Sequence, residues 1–138
     1  MQTSGRRAAL VAIAPFAVTV AIAGCGSDKP GYCSDRSELE SSVRALDDGE
    51  VLRQGGVQDL RTKLQAVEAD ARALVSSAKG DFPSETSALE TSVDGLKTAV
   101  QQLPSSPSPQ EVALVAADAK AVVTSFQDFK GASNSKCS

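Results

Sequence analysis

Seven apolar residues, Val57, Leu60, Leu64, Val67, Ala71, Leu74 and Ala78, follow one another at alternating steps of three and four. That spacing keeps all seven on one face of an α-helix, whereas a strand, which changes face at every residue, would divide them between two sides. Such a helix is only marginally stable alone and needs other helices with matching stripes to cover it. Its outer side suits water: Asp59 with Lys63 and Glu68 with Arg72 stand at i, i+4, where opposite charges meet. Gly80 and the pair Phe82-Pro83 end it.

Two further stripes of comparable length follow. From about Ser84, the residues Leu89, Val93, Leu96, Val100 and Leu103 repeat the four-three spacing until Pro104 stops them. Pro104 to Pro109, with its alternating serines and prolines, reads as a stiff exposed connection between antiparallel helices. Ser108 then has the character of an N-cap, with Pro109 at the first helical position and Glu111 at the third, the spacing of a capping box. The stripe behind it is Val112, Val115, Ala119, Val122, Phe126 and Phe129. Gly131 is the expected stop, leaving a polar tail from Ala132 to Ser138 broken only by Cys137.

A shorter helix precedes these three. Ser34 is its expected N-cap, Asp35 and Glu38 suit the positive end of its dipole, and Leu39, Val43 and Leu46 form the stripe. Glu40 and Arg44 pair on its outer side, Asp47 with Glu50 has capping-box spacing for a separate turn over Asp48 to Gln54, and Gly55-Gly56 closes that turn. The expected fold is all-α, an antiparallel up-and-down bundle of four helices with the first one short. The alternative is a three-helix bundle with residues 34 to 56 lying across it. In the four-helix path, Phe82, Phe126 and Phe129 gather near one end, opposite the small Ala71 and Ala78.

Ahead of this domain stands an Ala-rich apolar run from Ala8 to Gly24, preceded by Arg6 and Arg7, interrupted by Pro15 and ending in Ile22-Ala23-Gly24-Cys25. The run is short for a membrane span and has the basic flank of a signal peptide. Its last four residues resemble the lipobox of bacterial lipoprotein signal peptides, in which a small residue precedes an obligatory Cys. The resemblance implies that residues 1–24 are removed and that Cys25 is thioether-linked to diacylglycerol. Residues 25–33 then form a lipid-anchored tether and 34–138 a bundle domain on the extracytoplasmic face of the cell membrane. The Ala-rich signal and Val-rich helices are also similar to those of many small lipoproteins of high-GC Gram-positive bacteria. Two acyl chains, each buried CH₂ contributing about 0.8 kcal/mol, anchor a protein stably where one does so only marginally.

With Cys25 lipidated, Cys33 and Cys137 remain as a pair, and in an exported chain such a pair is expected to form a disulfide. An up-and-down path of four helices returns both cysteines to one end; a crosswise first helix would not guarantee Cα atoms within the roughly 7 Å that a bridge requires. The chain has 14 basic and 17 acidic residues, and Arg6 and Arg7 leave with the signal, so the mature chain carries 12 against 17, a net charge of −5. That balance gives no basis for nucleic acid binding.

Catalytic constellations are hard to assemble from these residues. The chain has no His, which removes the commonest general base and the commonest transition-metal ligand together. Its serines fall at caps, in turns and on exposed helix faces. Asp47-Asp48-Gly49-Glu50 lacks the alternating acids and the twelfth-position Glu of a calcium loop and reads as a capped turn. No cofactor, metal site or enzymatic activity is expected. Phe82, Phe126 and Phe129 are the candidate lining of a hydrophobic ligand pocket, against their reading as plain core. Tyr32 suits either the lipid interface or the underside of the first helix. The leading functional expectation is a lipid-anchored, non-catalytic interaction module of the bacterial cell envelope that binds a neighbouring envelope protein through a helix face. The second is a bundle that binds a small hydrophobic ligand or lipid. A cavity among the rings would favour the second; a filled core with an exposed apolar strip would favour the first.

Overall fold

The computed structural model describes residues 29–47 and 56–138. The expected signal segment 1–24, the expected lipidation site Cys25, the start of the expected tether, and the turn expected over Asp48 to Gln54 with Gly55 lie outside the described residues. Four helices follow one another: α1 (Tyr32–Asp47), α2 (Gly56–Ala78), α3 (Pro83–Gln101) and α4 (Pro109–Cys137). Each packs on its neighbours in sequence and α4 closes the ring onto α1, so the domain is an all-α up-and-down bundle of four helices. The crosswise first helix of the three-helix alternative is not what forms.

Side-chain pairs between helices fix the antiparallel register. Between α1 and α2, Ser77 donates to Asp35 and Ser42 donates to Asp70, so one index rises as the other falls. Between α2 and α3, Arg61 donates to the carbonyl of Leu103 at 3.4 Å and Lys97 pairs with Glu68 at 2.8 Å. Between α1 and α4, Arg36 donates to the hydroxyl of Ser133 at 3.2 Å and Lys130 to Glu40 at 2.8 Å.

All seven stripe residues of α2 are buried, as are Leu39, Val43 and Leu46 of α1 and Leu89, Val93, Leu96 and Val100 of α3. Burying a Leu, Val or Phe side chain stabilises by about 1.5–3 kcal/mol, so the interlocked stripes are the main force holding the helices together. The capping box of α4 forms in both directions: Glu111 N–H donates to Ser108 Oγ at 3.3 Å, and Ser108 N–H donates to Glu111 Oε2 at 2.7 Å. Leu103 is buried two residues past the end of α3, where its N–H donates to the carbonyl of Val100.

Three local expectations give way to tertiary packing. α1 begins at Tyr32 and not after a Ser34 cap, because Tyr32 is buried and the carbonyls of Pro30 and Gly31 accept from Cys33 and Ser34. Gly131 does not stop α4, which continues to Cys137. The reason lies in the contacts of that last stretch: Ser133 is fully buried beneath Arg36, and Cys137 is tied to α1. Glu68 does not pair with Arg72 on its own helix. It reaches across to Lys97 on the neighbouring helix, at 2.8 Å.

Candidate functional site

Cys33 and Cys137 meet at the end of the bundle where α1 begins and α4 ends, with sulfurs 2.05 Å apart and Cα atoms 5.4 Å apart, the geometry of a disulfide. They join the first turn of α1 to the last turn of α4 across a sequence separation of 104. Above the bridge sits a cluster of three rings. Tyr32 lies edge-on to Phe82 at 5.6 Å and to Phe129 at 6.4 Å, and Phe82 and Phe129 meet edge-on at 5.4 Å between centroids. Such edge-to-face pairs are favoured by the quadrupoles of the rings. Ala78 is completely buried in the same core, a small residue beside large ones.

Of the three candidate pocket residues, the fold brings together Phe82 and Phe129 and separates Phe126. Phe129 is fully buried and Phe82 half-buried, and their rings are occupied with each other and with Tyr32. Phe126 lies about one turn nearer the N-terminus of α4, with the ammonium of Lys130 5.9 Å from its ring centroid. Tyr32 packs beneath the bundle end and not at an exposed surface. Its hydroxyl finds no hydrogen-bond partner among the described residues. Burial, followed by the nearby carboxylate of Asp81, pushes its pKa above the usual value near 10.

The surfaces between helices differ in chemistry. A groove of about 270 Å³ between α1 and α4 has an apolar floor of Val43, Val123 and Phe126. At its rim Glu40 accepts from both Lys130 and Arg44, at 2.8 and 2.6 Å. The hydrogen bond from Lys130, only partly opposed by burial, holds the Glu40 carboxyl below the ordinary glutamate range. A larger groove of about 350 Å³ runs between α2 and α3, floored by Ala71, Val75 and Val93. A third, of about 210 Å³, lies between the end of α3 and the start of α4.

Leu114, on the rim of that third groove, is 66% exposed, and Ala113, Ala117 and Ala121 on the same helix are exposed as well. Sequence reading passed over it. The available signal was a large apolar residue immediately beside the stripe position Val115, where a helix in a soluble bundle usually carries a polar one.

Among the described residues no three of His, Cys, Asp and Glu are grouped to hold a metal ion, and no helix is long and apolar enough to cross a membrane. The chain matches no protein-family model, and comparison with curated proteins and with solved structures finds no significant match.

Proposed function

We propose that this chain is a non-catalytic interaction module, anchored to the extracytoplasmic face of the cell membrane by diacylglycerol on Cys25 and docking an envelope protein through the exposed face of α4. The observation that carries the reading is the contrast between the two ends of α4. Towards its C-terminus, Phe129 and its neighbours are packed ring on ring; towards its N-terminus, Leu114 stands in solvent beside exposed alanines. Small side chains let a partner's backbone come close, and a large exposed apolar side chain among them offers area that a partner would bury at about 25 cal/mol per Å². The competing hydrophobic-ligand reading needs space among the rings, and those rings contact one another instead. The sequence has no His and offers no recognisable catalytic set, which supports a binding role.

Two measurements test this. Metabolic labelling with a fatty acid should mark the wild-type chain and leave Cys25→Ala unmarked; label on the variant overturns the anchor. A photo-crosslinker at position 114 should capture a discrete envelope protein in cells, while the same group at exposed Gln65 on α2 should not. Equal capture from both positions, or capture unaffected by Ala117→Glu beside the probe, overturns the docking face.

A further inference from the structure

We infer that the groove between α2 and α3 is a binding site for a short peptide with free ends, a zwitterion of two or three small residues. This goes beyond the docking role of α4 and uses a different pair of helices. The unpaired charges of the two rims are opposite, the remaining acid of the lining, Glu68 on α2, being neutralised by Lys97. Arg72 and Lys79 stand along the α2 edge, seven residues apart and therefore on one helix face, and Glu90 and Asp94 stand at i, i+4 along the α3 edge. No ammonium or guanidinium nitrogen of the α2 rim comes within 4.0 Å of a carboxylate oxygen of the α3 rim. One turn beyond Arg72 the helices do clasp, through Glu68 and Lys97 at 2.8 Å. The same helix pair therefore closes an ion pair at one level and holds its charges apart at the next.

What separates the rims is the floor. Ala71 and Val93 are buried but small, and with Val75 they leave the space of about 350 Å³ in which the groove consists. That lies at the lower end of the range for small-molecule sites. A simple anion would satisfy Arg72 and Lys79 and be repelled by the acids, and a simple cation would meet the reverse. A zwitterion satisfies both rims at once. Adjacent helix axes lie about 8–10 Å apart, and two extended residues span about 7 Å, so a dipeptide is long enough to place its carboxylate on the basic rim and its ammonium on the acidic one. Methyl side chains suit the shallow apolar floor.

The test is calorimetric titration of the full chain, solubilised in detergent, with alanyl-alanine. Saturable binding with a dissociation constant of about 1 mM is expected for a ligand of this size in an open groove. Arg72→Gln and Asp94→Asn, both at exposed positions, should each weaken binding about fivefold or more while leaving the melting curve unchanged. Glu90→Gln replaces either variant that melts early. N-acetyl-alanine methylamide, which keeps the backbone and the methyl group but has no charge, should not saturate. Leu114→Glu should bind the dipeptide normally, so failure of the docking reading and failure of this one are distinguishable. The inference is overturned by absence of saturation up to about 20 mM, by equal binding of the blocked peptide, or by affinity indifferent to all three rim variants.

Discussion

Gly131→Ala distinguishes two accounts of how the last helix ends, because they predict opposite signs. In the structure Gly131 lies in the interior of α4 with an ordinary helical backbone, and a Cβ built there meets nothing within 4 Å. Alanine in an exposed helix interior is favoured over glycine by about 0.5–1 kcal/mol, chiefly because it restricts the unfolded chain. Nothing steric offsets that gain. For a domain of about 100 residues, 1 kcal/mol moves the melting temperature by about 4–8 °C, so a rise of about 2–8 °C is expected. If the helix instead stopped at Gly131 in a left-handed conformation, alanine would be strained there by about 1–2 kcal/mol and the melting temperature would fall. Gly56 supplies the internal contrast. It too has open space around its Cβ position, but its φ is +67°, so Gly56→Ala should destabilise. Thermal melts followed by circular dichroism measure both. A fall for Gly131→Ala would refute the continuous α4, and a rise for Gly56→Ala would refute the entry geometry of α2.

Replacing both Cys33 and Cys137 with Ser opens a covalent loop of about 100 residues, for which chain entropy sets a ceiling near 4.7 kcal/mol; a melting temperature equal to that of the oxidised wild type would show that the bridge adds nothing to stability. Leu64→Asp places a carboxylate in the buried stripe and should cost several kcal/mol of the roughly 5–15 kcal/mol that hold a domain, while Gln65→Asp, one residue away and exposed, should melt like the wild type; equal losses would contradict the helical register. Because the folded-state pKa of Glu40 lies below its ordinary value of 4.5, its ion pairs with Lys130 and Arg44 contribute fully above that pH and are lost as pH falls through the folded value. Glu40→Gln should therefore flatten the acid limb of the stability profile by about 0.2–1 kcal/mol, the scale of a partly exposed pair, and an unchanged acid limb would show that the pair contributes nothing.

Helix existence and the buried face were legible wherever the stripe was long and purely apolar. Each of the seven residues from Val57 to Ala78 is buried, and the start of α4 was readable to the residue because Ser108, Pro109 and Glu111 act locally on their own backbone. The misread boundaries depended on distant partners. Phe129, Ser133 and Cys137 continue the α4 stripe at four-residue steps, but a serine counts as core only once Arg36 is known to cover it. Tyr32 extends the α1 stripe by two turns from Leu39, and its burial needs Phe82 and Phe129, about 50 and 97 residues away. The rims of the α2–α3 groove were harder still. Arg72 looked paired with Glu68 along its own helix until the neighbouring Lys97 took that carboxylate.

The bridge between α1 and α4 also governs how the domain bears mechanical load. A pull on the chain at Lys29 reaches the fold at the first turn of α1, and without a crosslink it would peel that helix away from its end, releasing Tyr32 first and then Leu39 and Val43 in succession. With Cys33 bonded to Cys137, the same tension divides at once between the start of α1 and the end of α4. Two adjacent helices must then be displaced together, against the whole length of α2 and α3, before any part of the core beyond Tyr32 is exposed. Peeling is replaced by shear, and the force needed rises because contacts yield in parallel and not one after another.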